Sequence, residues 1–130
     1  MSTRCRIAIN DGDSFRSIYC HYDGYPEYMG RQLPNHYNTT EIVNELINLG
    51  DISFLMDTID ETRPLSYYEK GEDLVIKSSP NLASLLGTFM NSDEEYLYLW
   101  DNNKWKLLNK HKVKDQLLDM VKETINNESI

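Results

Sequence analysis

Two tight-turn signals, one near each end of the chain, restrict its possible folds more than any other feature. Thr3 to Asn10 alternates, with Thr3, Cys5, Ile7 and Ile9 on one side and Arg4, Arg6 and Ala8 on the other, and it runs into Asp11-Gly12. Ser14 to Tyr22 then reads as the returning strand. Near the other end, Tyr96 to Trp100 and Lys104 to Leu108 flank Asp101-Asn102-Asn103, and Asn-Asn tolerates the left-handed backbone of a two-residue hairpin turn. With that turn at Asn102-Asn103, Trp100 falls opposite Trp105 and Tyr98 opposite Leu107, pairs of the kind that stabilise a sheet.

The intervening sequence is helical in period. Pro26 suits the first turn of a helix, with Glu27 where the positive end of the helix dipole favours it, and the helix is expected to end near Leu33-Pro34. Thr39 or Thr40 can cap a second helix with apolar residues at Ile42, Val43, Leu46, Ile47 and Leu49, stopped by Gly50. Ile52, Leu55, Met56 and Ile59 continue the helical spacing as far as Arg63-Pro64, and Tyr67, Tyr68 and Leu74 to Ile76 are strand candidates. Ser79-Pro80 reads as a cap and first residue for a helix over Asn81 to Met90, and Val113, Leu117, Met120, Val121 and Ile125 mark a terminal amphipathic helix. The expected fold class is α+β: two antiparallel hairpins in one sheet, packed against three to five helices. At 130 residues this is one domain over 1–130, with 126–130 as a frayed end.

Composition narrows the function classes. No apolar run approaches the roughly 18 residues of a membrane span, and no signal-peptide core follows Met1, so a soluble, cytoplasmic protein is expected. The net charge of -8 is unevenly distributed: residues 38–101 hold three basic residues against thirteen acids. No segment is basic enough for direct nucleic-acid binding. Cys5 and Cys20 lack the density of a disulfide scaffold and read as reduced, buried thiols.

One segment stands out. His21-Tyr22-Asp23-Gly24-Tyr25-Pro26-Glu27-Tyr28-Met29-Gly30-Arg31 gathers aromatic, acidic and basic side chains at a turn leading into a helix. A two-residue first hairpin turn, at Asp11-Gly12 or at Gly12-Asp13, puts Arg4 and Arg6 on the same sheet face as Tyr19 and His21. Arg4, Arg6, Tyr19, His21, Tyr22, Asp23, Tyr25, Glu27 and Arg31 are therefore candidates for a ligand site. There guanidiniums would hold a phosphate and an aromatic ring would stack on a base. The competing reading pairs Arg4 and Arg6 with acids from 41 to 73 on a solvated face, with the tyrosines packing their rings.

His21, Asp23 and Glu27 have the side-chain types of acid-base catalysis, but no catalytic motif accompanies them, and no catalytic residue or cofactor is assigned. Cys5, Cys20 and His21 are the one cluster that suggests a metal. Because Cys20 and His21 are adjacent in a strand and point to opposite faces, no metal site is assigned.

The runs Ser2-Thr3-Arg4-Cys5-Arg6-Ile7 and Ile18-Tyr19-Cys20-His21-Tyr22-Asp23-Gly24-Tyr25-Pro26-Glu27-Tyr28-Met29-Gly30 resemble small accessory proteins of unassigned function encoded by phages and prophages. The likeness covers about residues 2 to 50 and returns weakly at Glu95 to Trp100. It implies an accessory protein in the host cytoplasm that acts on a host process, including immunity, by binding, and it brings no catalytic residues. Two modes follow as expectations. One is sequestration of a nucleotide-like small molecule at the site above. The other is docking of the acidic middle (Glu41, Glu45, Asp51, Asp57, Asp60, Glu61, Glu69, Glu72, Asp73) on a basic surface of a host protein, with nucleic-acid mimicry as the strongest form. A homo-oligomer is also expected, through Tyr96, Tyr98, Trp100, Trp105 and the edge of the second hairpin. The competing account has the terminal helix cover that aromatic stripe within one chain.

Overall fold

The computed structural model describes residues 3–65 and 75–128. The strand candidates Tyr67, Tyr68 and Leu74, and the acids Glu69, Glu72 and Asp73, lie outside the described residues. The first hairpin pairs β1 (Cys5–Asn10) with β2 (Phe15–Cys20) in the register Arg6 opposite Tyr19, and Gly12 takes φ +100° at the tip. This is the register of a Gly12-Asp13 turn, closed by Asp11 N–H donating to Ser14 O at 3.1 Å. The second hairpin pairs β6 (Tyr96–Asp101) with β7 (Lys104–Asn109), and Trp100 faces Trp105 as the sequence predicts. Asn102 and Asn103 take φ +53° and +60°. Parallel pairing of β1 with β6 joins the hairpins into one sheet.

Three short strands complete that sheet. β3 (Ile52–Phe54) lies parallel to β2, β4 (Arg63–Pro64) pairs with β3, and β5 (Lys77–Ser79) lies antiparallel to β2 beside Phe15 to Ser17. The strand order is β4-β3-β2-β1-β6-β7, with β5 off that path. The fold is α+β, a mixed seven-stranded sheet with four helices.

Strand alternation divides the core between the two faces. Cys5, Ile7, Ile9, Ile18, Cys20, Tyr98 and Trp100 pack under α1 (Pro26–His36) and α2 (Thr40–Ile47) through Met29, Leu33, Tyr37, Val43, Leu46 and Ile47. Ala8, Leu97 and Leu99 pack under α3 (Leu82–Met90) and α4 (Lys110–Glu128) through Leu85, Leu86, Phe89 and Val113. No described helix is long and apolar enough to cross a membrane.

Four local readings are corrected. Ile52 to Phe54 is a strand, because Ile52 and Ser53 carbonyls accept the N–H groups of His21 and Tyr22 at 3.1 and 2.8 Å. Helix α1 runs past Leu33 to His36 with Pro34 inside its last turn, which Tyr37 N–H closes on Leu33 O. The cap of α3 is the Asn81 side chain, accepting from Ser84 N–H at 2.8 Å, while Ser79 ends β5. Finally, the aromatic stripe is covered within the chain by α1 and α2, not by the terminal helix. Tyr98 and Trp100 are 2% and 4% exposed, and the indole N–H of Trp105 donates to Tyr37 O at 2.8 Å.

Candidate functional site

On the α3/α4 face the polar end of the first hairpin begins where the apolar residues stop. Arg6 follows Cys5 on β1 and so points away from the α1/α2 core, as do Ser17 and Tyr19 on β2. Each of its three guanidinium nitrogens donates a hydrogen bond. Nε and Nη2 donate to Glu94 at 2.9 and 2.7 Å, and Nη1 donates to Ser17 Oγ at 2.9 Å. Glu94 also accepts from Ser92 Oγ at 2.8 Å. Arg6 is 8% exposed and Glu94 2%, so this is a buried, mutually satisfied ion pair.

Next to it lies a more open array. Arg4 pairs with Asp93 at 3.0 Å. Tyr19 Oη lies 2.7 Å from Nδ1 of His21, whose ring meets Tyr22 edge to face at 4.4 Å between centroids. Burial pushes the Tyr19 hydroxyl up from its ordinary range, so it stays protonated and can donate to Nδ1. Tyr22 is exposed. Behind the array, Asp51 Oδ1 accepts the Tyr19 backbone N–H at 2.9 Å. Burial raises the Asp51 carboxyl against the pull of that bond and of Arg6.

The structure thus brings Arg4, Arg6, Tyr19, His21 and Tyr22 together and places the other candidates elsewhere. Asp23 occupies the turn at φ +57°. Gly24 packs on Cys5, and its carbonyl accepts the Tyr98 hydroxyl at 2.8 Å. Tyr25 is the N-cap residue of α1, which carries Glu27 and Arg31 and packs on the opposite face of the sheet from Arg6 and Tyr19. His21, Asp23 and Glu27 do not converge. Among the described residues the partners of Arg4 and Arg6 are Asp93 and Glu94, not the acids from 41 to 61. Sequence reasoning missed both, although Asp93-Glu94 directly precedes the strand that pairs with β1. Among the described residues no three His, Cys, Asp or Glu side chains could hold a metal ion.

A second surface lies over the α1/α2 layer. A cleft of about 360 Å³ is lined by His36, Tyr37, Ile42, Glu45, Asp57, Thr58, Ile59 and Asp60. Glu41 and Glu45 are one helical turn apart on α2 and so share a face. Asp57 accepts from Gln32 Nε2 at 2.6 Å and lies 3.5 Å from His36, and Glu61 accepts from Thr58 Oγ1. Among the described residues Glu41, Glu45 and the Asp60 carboxylate have no hydrogen-bonding or ionic partner, and no described Lys or Arg forms a salt bridge with an acid of this group, although the Arg63 guanidinium donates to the Asp60 carbonyl at 3.1 Å. No family model, curated protein or solved structure matches the chain.

Proposed function

We propose that the protein acts by binding, and that its working surface is the acidic cleft of the α1/α2 layer, which docks on a basic surface of another protein. The observation that carries this reading is the uncompensated charge around the cleft. Glu41 and Glu45 repel each other at i,i+4 spacing, a pairing that costs a few tenths of a kcal/mol, and among the described residues neither carboxylate forms a salt bridge. Such a field steers a basic partner into contact and weakens with salt. The resemblance to phage accessory proteins suggests a host protein as that partner.

Immobilised protein tests the proposal against a bacterial lysate at low salt, beside a Glu45→Lys/Asp60→Lys variant. Among the described residues neither carboxylate forms a salt bridge, so the variant is expected to keep its structure. The expected result is a basic protein held by the wild type and lost both in the variant and at high salt. Equal capture by both proteins overturns the assignment of the surface, and no capture at low salt overturns the mode.

A second reading is favoured by the Arg4-Tyr19-His21-Tyr22 array, which offers an aromatic edge beside a half-exposed guanidinium. It suits a small anionic aromatic ligand such as a nucleotide. It ranks second because Arg6 is committed to Glu94, and the Asp93 carboxylate already paired with Arg4 would oppose an incoming anion. Native mass spectrometry of the purified protein distinguishes the two: a retained nucleotide, lost on Arg4→Ala, favours the array.

A further inference from the structure

The terminal helix presents two apolar stripes, one packed on the core and one exposed. Val113, Leu117 and Met120 pack against the α3 side of the core. Rotated about 100° from these, Leu118, Val121 and Ile125 form a second ridge and are 48, 55 and 56% exposed. Residues 121–126 are all exposed. At about 1.5 Å per residue, the 19-residue α4 is roughly 28 Å long and the nine-residue α3 roughly 13 Å, so about half of α4 extends beyond the length α3 can cover. A helix end that buries little gains little from packing, which is where most helical stability arises.

We infer that this ridge is the contact surface of a symmetric homodimer in which two α4 helices pack antiparallel. The charges beside the ridge select this occupant and this orientation. Asp115 and Lys122 are seven residues apart and so lie on the same flank of Leu118 and Val121. Among the described residues Lys122 forms no salt bridge, and the one ion-pair contact of Asp115 is with His111 at 3.5 Å. When Leu118 sits opposite the Val121 position of a second copy, Asp115 of each chain comes within a helical turn of Lys122 of the other, and the two-fold axis makes the pair twice. Parallel packing would put this flank of the two copies on opposite sides of the contact and leave both charges without a partner.

The antiparallel arrangement also aligns the helix dipoles favourably. It relocates the expected self-association from the aromatic stripe, which is buried, to the opposite face of the sheet. Because α4 lies across the sheet from α2, the dimer leaves both acidic clefts open, so this inference stands independently of the function proposed above. A ridge of three apolar residues is smaller than the roughly 800 Å² per partner of a standard interface, so the dimer is expected to be concentration-dependent.

Light scattering over a concentration series tests the interface. The expected mass rises from 15.2 kDa to twice that value, and Leu118→Lys holds it at the monomer. Asp115→Lys and Lys122→Asp should each be monomeric alone, and an equimolar mixture should dimerise, since each then supplies the charges the other lacks. A fold defect cannot produce recovery on mixing. A mass that stays at the monomer at every concentration overturns the inference. So does a dimer that survives Leu118→Lys, or a pair of charge variants that stays monomeric when mixed.

Discussion

At the scale of single residues, identity was often legible where the reason for it was not. Asp23-Gly24 reads as a chain break in the sequence. The structure shows that a Cβ on Gly24 would lie 2.7 Å from Cβ and 2.8 Å from Sγ of Cys5, and 2.9 Å from the Thr3 carbonyl. Gly24→Ala should therefore cost about 1–3 kcal/mol, read as a lower urea midpoint at unchanged slope. Adding Cys5→Ala should not restore it, because the Cβ of residue 5 and the Thr3 carbonyl both remain; full rescue would mean that the thiol alone sets the constraint. Asp51 makes the opposite case, a charge that the fold disfavours. Its pKa is raised by burial, so its contribution to stability is present below the unfolded carboxylate value of about 3.9 and is lost as pH rises through the folded value. Asp51→Asn keeps an oxygen for the Tyr19 N–H and removes the buried charge. The variant should melt above the wild type at pH 7, with the gap closing on acidification below about pH 4. A gap that widens in acid would show that Arg6 and Lys77 hold the carboxylate more strongly than burial opposes it.

Among elements, those defined by local chemistry could be read in advance, and those defined by a distant partner could not. The second hairpin was legible to the register because two adjacent asparagines fix the turn and the turn fixes every pair above it. Ile52, Leu55, Met56 and Ile59 have helical spacing, but Gly50 turns the chain at φ +77° and β2 offers open carbonyl and N–H groups, so pairing overrode period. The Arg6–Glu94 bridge belongs to this scale, because it clamps β1 to the segment leading into β6 across 88 residues of sequence. The two arginines were visible, whereas their partners depended on the parallel β1–β6 pairing that no local signal announces. Arg6→Met leaves Glu94 buried and unpaired and should cost about 3–5 kcal/mol in chemical denaturation, while Arg6→Met with Glu94→Leu should recover most of that loss. A near-neutral Arg6→Met would mean that water reaches Glu94.

For the whole molecule, counting acids along the chain located the charge in its middle half, but not its gathering on one layer. Glu41, Glu45, Asp57, Asp60 and Glu61 belong to α2 and to the segment between β3 and β4, whereas Lys104, Lys106, Lys110, Lys112, Lys114 and Lys122 belong to β7 and α4. The protein is therefore electrically polarised, and its response to salt has a definite sign. Added sodium chloride weakens two kinds of interaction at once: repulsion within the acidic layer and attraction within surface ion pairs. The surface pairs, Arg4–Asp93, Arg16–Asp11 and Lys106–Asp101, are each worth at most about 1 kcal/mol, and the buried Arg6–Glu94 pair is little screened. Repulsion acts among five carboxylates that face no described Lys or Arg in a salt bridge, in a chain of net charge -8, so its relief should dominate. The melting temperature should rise as the Debye length falls to about 10 Å near 0.1 M, and the rise should flatten in Glu45→Lys/Asp60→Lys. Chloride is the anion to use, since sulfate strengthens burial by exclusion and would raise the melting temperature of both proteins alike. A melting temperature that falls with sodium chloride would place the electrostatic balance in the ion pairs, and would remove the uncompensated field on which docking at the acidic cleft depends.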